Sequence, residues 1–398
     1  MTSYCLKRST VRRSIAVAAS SFALSSGIAL AEDGVTGTEV LLGGSSALSG
    51  PIAAACSLPP IGAQAWFKAV NDQGGVNGRK ISYTVLDDAY SIPRAVGNVK
   101  RLVERDKVFA IFGGCGTNTS GGIATALEGS NVPYMFPVSA LPALIEPLRK
   151  NVFALLPPYT VQISTLLPEA IKQSQAKSAA LASFNAGGYQ QWMDTARKGL
   201  ASAGVKLVVD ETMEETSLER SSFAIKIKQA APDLLLLVDT PVPASRMIGE
   251  MARQNFKPKL VAGASSLSDF NFLNPLTPEE VPNLLTLNHL YPVDDPRATE
   301  CIQALAKYDP SVKPSRYTQE GCLAAKVFVE ALTRAGKSPT REGLIRALEN
   351  MKGFDPGIGV KIGFSPDNHL GTQELLQIGV KDKRFVVTGA PLPVQLPK

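Results

Sequence analysis

Short, nearly uninterrupted apolar runs alternate along the chain with longer stretches in which apolar residues return every three or four positions. The runs predict strands at Glu39–Gly43, Ile81–Leu86, Val108–Phe112, Pro133–Phe136, Val152–Leu156, Ser178–Ser183, Lys206–Val209, Leu234–Val238 and Leu260–Ala262. They lack a clean alternation of apolar and polar residues, which is how strands of a parallel sheet covered on both faces read. Helical spacing predicts helices over Ile61–Asn71, Ile92–Glu104, Thr119–Glu128, Tyr189–Ala201, Ser222–Gln229 and Val242–Gln254. Strand–helix–strand order with short connections predicts an α/β fold, parallel sheets with helices on both faces.

The pattern occurs twice, once from about Val35 to Leu156 and again from Tyr159 to Asn288, with Pro157-Pro158 between. A helical tail follows at Arg297–Lys307, Tyr317–Arg334 and Thr340–Asn350, then two late strands at Val360–Ile362 and Glu374–Val380. A chain of 398 residues is long for one core. A chain that crosses between two domains more than once accounts for the tail better than a third domain does.

The first 31 residues read as a leader. Lys7, Arg8, Arg12 and Arg13 precede the apolar run Ile15–Leu30, which ends in Ala29-Leu30-Ala31 before Glu32. A basic start, an apolar segment and a small-x-small site make an export signal cleaved after Ala31. The run is shorter than the roughly 20 residues of a membrane span. The whole chain carries net charge +6; without the leader 37 basic residues face 35 acidic ones. No dense Lys/Arg block remains, which argues against a nucleic-acid partner. Four cysteines beyond the leader, Cys56, Cys115, Cys301 and Cys322, permit two disulfides in three pairings. Cys56–Cys115 with Cys301–Cys322 is the preferred pairing, and buried free thiols are the alternative. None has metal-site spacing, and two histidines, His289 and His369, make no metal cluster. No cofactor site is identifiable.

The candidate chemistry lies at strand ends, where open α/β sheets hold ligands. After the first strand comes Ser45-Ser46-Ala47-Leu48-Ser49-Gly50-Pro51, with Ser49 as a candidate. After the third comes Gly113-Gly114-Cys115-Gly116-Thr117-Asn118-Thr119, opening a helix. Its early amides lack internal partners and, with the hydroxyl of Thr117, can hold an anion without lysine or arginine. The segment has neither GxGxxG spacing nor a P-loop ending, so it is not a nucleotide fingerprint. Ser139 and Ala140 follow the fourth strand. In the second half, Tyr189, Thr240 and Ser265 stand at corresponding junctions. Asp87-Asp88 has no partner acid or nucleophile elbow and reads as capping rather than catalysis. Trp66 and Trp192 fall inside helices and read as core. An exported, doubled α/β chain without a catalytic constellation points to binding, not to an enzyme.

GPIA after the first strand, AWFKAVNDQGGVNGRKI, LDDAYSIPRAVGNVKRLVERDKVFAIFG, NVPYMFPVSA and IGFSPDNHLG, in this order, resemble the periplasmic binding proteins for branched-chain amino acids and their wider family of amide, urea and aromatic-acid binders. The resemblance implies two Rossmann-like lobes that close on a solute and serve the permease of an ABC transporter. Crossovers would fall near Leu156–Pro158, Asn288–Tyr291 and Gly363–Ser365. Lobe one would hold 32–156 with 290–362, and lobe two 157–289 with 363–398. It implies a periplasmic monomer whose carboxylate donors match Gly116-Thr117 and Ser139-Ala140, with Cys115 beside them as a further ligand-binding candidate and Tyr189 as the lobe-two aromatic. The ammonium-binding acid of the family would fall near Ser265-Ser266, where no carboxylate stands. Ala55 or Cys56 replaces an aromatic residue, and the neighbourhood of Thr240 lacks a tyrosine. An ammonium without a charge partner is costly to bury, so these departures favour a carboxylate with an uncharged body, an aromatic or another non-amino acid. A branched-chain or other amino acid or amide is the alternative ligand, and a sensory ligand-binding lobe the alternative role.

Overall fold

In the computed structural model the apolar runs become the strands of two sheets, and the amphipathic stretches cover them. The structure describes residues 1–3, 32–185, 188–214 and 219–396, so the leader and its cleavage site lie outside the described residues. The first sheet takes β1 (Glu39–Ser46), β2 (Lys80–Asp87), β3 (Ala110–Phe112), β4 (Tyr134–Met135) and β5 (Val152–Phe153). All pair in parallel, in the order β2-β1-β3-β4-β5. The helices between them are α1 (Ala53–Cys56), α2 (Leu58–Asp72), α3 (Ile92–Glu104) and α4 (Thr117–Ala126).

A helix the sequence pattern did not yield, α5 (Tyr159–Ser174), leads into the second sheet. Then follow β6 (Ser178–Phe184), α6 (Tyr189–Ser202), β7 (Lys206–Met213), α7 (Ser221–Ala230), β8 (Leu234–Val238), α8 (Pro241–Arg253), β9 (Leu260–Gly263), α9 (Phe270–Leu273) and β10 (Leu284–Asn288). The tail gives α10 (Thr299–Tyr308), α11 (Arg316–Ala335) and α12 (Arg341–Glu349), then β11 (Glu374–Lys381), β12 (Arg384–Val387) and β13 (Leu392–Pro393). The second sheet runs β12-β11-β10-β9-β8-β6-β7, with β13 on β11. Its middle is parallel, and β11 and β12 join antiparallel. This is a bilobed α/β fold. Every residue of β8 is buried, as its uniform apolarity requires; β10 is buried throughout as well, with the Thr286 hydroxyl donating to the Ala264 carbonyl at 2.9 Å.

Several predicted strands are shorter than the apolar runs. Pro133 has no N–H to give, and Phe136 sits at φ 58°, so β4 keeps two residues. The run Val360–Ile362 forms no strand; isolated bridges Leu290–Gly359, Phe354–Ile362 and Ile362–Thr372 take its place. Trp192 is fully buried, and Trp66 is partly buried with the Lys326 ammonium 4.3 Å from its ring centre.

The tail is tied to the first sheet by α11 against α2. The helices meet at two glycines: a Cβ on Gly62 would stand 1.9 Å from the Thr318 carbonyl oxygen, and one on Gly321 1.8 Å from that of Pro59. Only glycine permits this approach. Ser315 starts α11 with a capping box, its hydroxyl accepting from the Thr318 amide and the Thr318 hydroxyl accepting from its own. Disulfides join Cys56 to Cys115 and Cys301 to Cys322. Among the described residues no helix is long and apolar enough to cross a membrane.

Candidate functional site

Three strand-end loops of the first sheet converge. The Cys56–Cys115 disulfide ties the segment after β1 to the loop after β3. That loop is stitched to the one after β4: the Val138 amide donates to the Gly114 carbonyl at 2.9 Å and the Gly116 amide to the Val138 carbonyl at 3.4 Å. Gly116 stands at φ 135°, and a Cβ there would meet the Thr119 hydroxyl at 2.5 Å. It caps α4, so the helix starts at Thr117, two residues before the predicted Thr119. Thr119 turns back to donate to the Gly116 carbonyl at 3.2 Å. Thr117 lines the resulting cleft, as do Cys115, Gly116, Ser139 and Ala140.

Ser49 lies elsewhere. It is exposed, and its hydroxyl donates to Asp87 Oδ2 at 2.6 Å. Asp87 also accepts from the amides of Leu48, Ser49 and Ala89, so this acid fastens the turn. Asp88 is buried and accepts from the Ser45 hydroxyl at 2.8 Å and the Tyr90 amide at 2.9 Å. Burial pushes its carboxyl up, against the pull of the Ser45 hydrogen bond.

The other wall comes from the second sheet and from α11. Tyr189 lines the cleft, packed on Phe184 and Tyr159 with ring centres 4.2 Å away in each case. The Tyr159 and Tyr189 hydroxyls stand 2.5 Å apart. Thr240 and Ser265 are also in the lining. Eight of the nine sequence-derived candidates, Tyr189 among them, are thus brought to one cleft, and Ser49 is not.

Charged residues that the sequence pattern did not single out stand in the same wall. Asp239 follows β8 and lines the cleft, 1% exposed. Arg220, also 1% exposed, donates Nε to its Oδ2 at 2.8 Å and Nη2 to its Oδ1 at 3.2 Å. The Thr240 amide adds a third donor at 2.8 Å. Burial still pushes the Asp239 carboxyl above its ordinary value, against the guanidinium. Arg316, the first residue of α11, lines the cleft beside Tyr317. Its Nη2 donates to Glu320 Oε1 at 2.6 Å and to the Ser265 hydroxyl at 3.1 Å. His289 Nε2 lies 2.9 Å from the other Glu320 oxygen. Burial would raise the Glu320 carboxyl, but His289 and Arg316 together hold it low. Among the described residues no group of three His, Cys, Asp or Glu could hold a metal ion.

Such a cleft offers amides and hydroxyls on one wall, and aromatic rings with two buried ion pairs on the other. It can hold and desolvate a small polar solute, and among the described residues it presents no nucleophile with a base beside it.

Comparison with known proteins agrees with this geometry. A family model described as periplasmic binding protein matches residues 39–384. The Leu/Ile/Val-binding protein homolog 1 of Brucella abortus (strain 2308) is 26% identical over 342 residues, covering 84% of this chain and 90% of that one. A branched-chain amino acid ABC transporter structure from Thermus thermophilus with bound valine superposes with a TM-score of 0.81 at 21% identity, over 90% of this chain and 97% of that one. An R. palustris solute-binding protein in complex with benzoate gives 0.76 at 18%, over 90% and 98%. The chain belongs to the periplasmic binding protein family, non-catalytic proteins of ABC-type uptake systems that hold a small organic ligand between two lobes.

Proposed function

We propose that this chain is exported, cleaved after Ala31, and serves in the periplasm as the monomeric solute receptor of an ABC permease, taking up an α-amino acid. The lobes would comprise 32–156 with 290–362 and 157–289 with 363–398. The Gly116-Thr117 start of α4, with Ser139 and Ala140, would seat the carboxylate. A helix N-terminus favours an anion without a cation.

The observation that carries the amino-acid reading is Asp239. The sequence argument against an amino group rested on the missing acid near Ser265-Ser266; a carboxylate lines the cleft after all, one strand earlier. Arg220 and Thr240 supply three donors to it, and a carboxylate has about four acceptor positions. One remains for an ammonium. The names of the curated relatives and the valine-bound neighbour support the same reading.

A second reading, an aromatic carboxylate without an amino group, draws on the rings of Tyr90, Tyr159, Phe184, Tyr189 and Tyr317 in the lining and on the engagement of Asp239 by Arg220. A thermal-shift panel of the mature chain separates the two. A ligand that binds only the folded form raises apparent stability by mass action. Shifts with amino acids and none with benzoate support the first reading; the reverse supports the second. Silence across all carboxylates overturns both.

A further inference from the structure

Buried ionisable groups cluster beside the cleft. Two guanidiniums, Arg220 and Arg316, stand with three carboxyls, Asp239, Asp269 and Glu320, and none of the five is more than 4% exposed. A further carboxylate from a ligand would add to the acids already present in a desolvated site, at a high cost.

Arg316 has hydrogen-bonding capacity to spare. Among the described residues, the hydrogen bonds of its side chain run through Nη2. Its Nε is buried without a partner. Glu320 divides its two oxygens between Arg316 and His289, so the guanidinium has no carboxylate to itself. An unmet buried donor is costly, and this one belongs to a residue in the cleft lining. The capping box at Ser315 and the glycine contact of α11 with α2 fix where Arg316 starts its helix.

We propose that Arg316 is a specificity-determining residue: its guanidinium receives a neutral carbonyl oxygen at the far end of the ligand, so the solute is an α-amino acid with a side-chain amide. This rests on the amino-acid reading above and narrows it. An aliphatic side chain leaves the donor unmet, and an acidic one adds a carboxylate where three carboxyls already stand with two guanidiniums.

The test is calorimetric titration of the mature chain with L-glutamine, L-asparagine, L-leucine, L-glutamate and benzoate, repeated on Arg316→Met and Arg316→Lys. The expected result is an amide-bearing amino acid bound at least about tenfold tighter than leucine and glutamate, the size of one hydrogen bond to a charged group. Arg316→Met should erase that preference, so that the amide-bearing amino acid and leucine bind within a few fold of one another, and circular dichroism reports separately that the variant is folded. Arg316→Lys keeps a charge beside Glu320 but lacks Nε, so it should lose the preference as well and covers the case in which the Met variant does not fold. Leucine or glutamate binding as tightly as the amides to the wild type, or all ligands weakening alike in the variants, overturns the proposal while leaving the amino-acid reading standing. Benzoate binding without any amino acid overturns both.

Discussion

Cys56 and Cys115 are joined across 59 residues of sequence, and both line the cleft. The bond links the segment after β1 to the loop that opens α4, so it holds the cleft wall where we propose the carboxylate is seated. The second disulfide, Cys301–Cys322, closes 21 residues between α10 and α11, and neither of its cysteines is in the cleft lining.

The two bonds should therefore separate stability from binding. Loop closure of these lengths corresponds to about 4 and about 3 kcal/mol on the chain-entropy account. Cys56→Ser/Cys115→Ser should lower the unfolding free energy and weaken ligand binding. Cys301→Ser/Cys322→Ser should lower the unfolding free energy by a similar amount and leave affinity within a few fold. Urea unfolding and calorimetric titration of the two double variants check this.

Gly321 and Gly97 make a contrast within helices. A Cβ on Gly321 meets backbone of Pro59 and Ala63, which cannot swing aside, whereas one on Gly97 in α3 meets nothing within 4 Å. Gly321→Ala should cost about 1–3 kcal/mol or more by overpacking α11 on α2. Gly97→Ala should be neutral or stabilising by up to about 1 kcal/mol, because alanine is the better helix former. Urea midpoints of both variants decide it.

Arg220 neutralises a carboxylate that solvent barely reaches. Arg220→Met should leave Asp239 buried and unpaired, at about 3–5 kcal/mol, and Arg220→Met/Asp239→Asn should recover part of the loss. The pH dependence has a definite sign. Burial already raises the folded-state pKa of Asp239 above 3.8, and removing the guanidinium raises it further. The folded state then holds a proton that the unfolded chain releases, so stability is greatest below 3.8 and is lost as pH rises through the folded value. The gap between Arg220→Met and wild type should widen from acid to neutral pH, measured by urea unfolding at a series of pH values. A constant gap contradicts the account.

The alternation of apolar runs and amphipathic stretches carried the architecture into view because parallel strands buried on both faces leave a plain signature, as β8 shows with five buried residues in a row. Gly116, Thr117, Ser139 and Ala140 could be picked out as cleft-lining residues for a related reason: they are small or hydroxyl residues directly after strands. Ser49 fitted the same rule and failed it, because Asp87 captures its hydroxyl, and that pairing spans 38 residues. The charged wall was not legible. Asp239 and Arg220 stand 19 residues apart, and nothing local in either segment announces a buried ion pair. Arg316 and Tyr317 reach the cleft only because α11 docks on α2 through glycines, and α5, which carries Tyr159, has an interior proline, Pro168, that masks its helical pattern. Local pattern specifies elements; which polar side chains meet depends on how those elements pack.

The central claim is that the cleft seats a carboxylate on the Gly116-Thr117 helix start and the Ser139-Ala140 loop. Calorimetric titration of the mature chain with acid and methyl-ester pairs, L-glutamine, L-leucine and benzoate each against its ester, tests it most directly. The account predicts one-to-one binding of at least one acid and weakening of about a hundredfold or more in its ester, since several hydrogen bonds to a full negative charge are lost at once. An ester that binds as tightly as its acid, or no binding by any of the three acids, contradicts it.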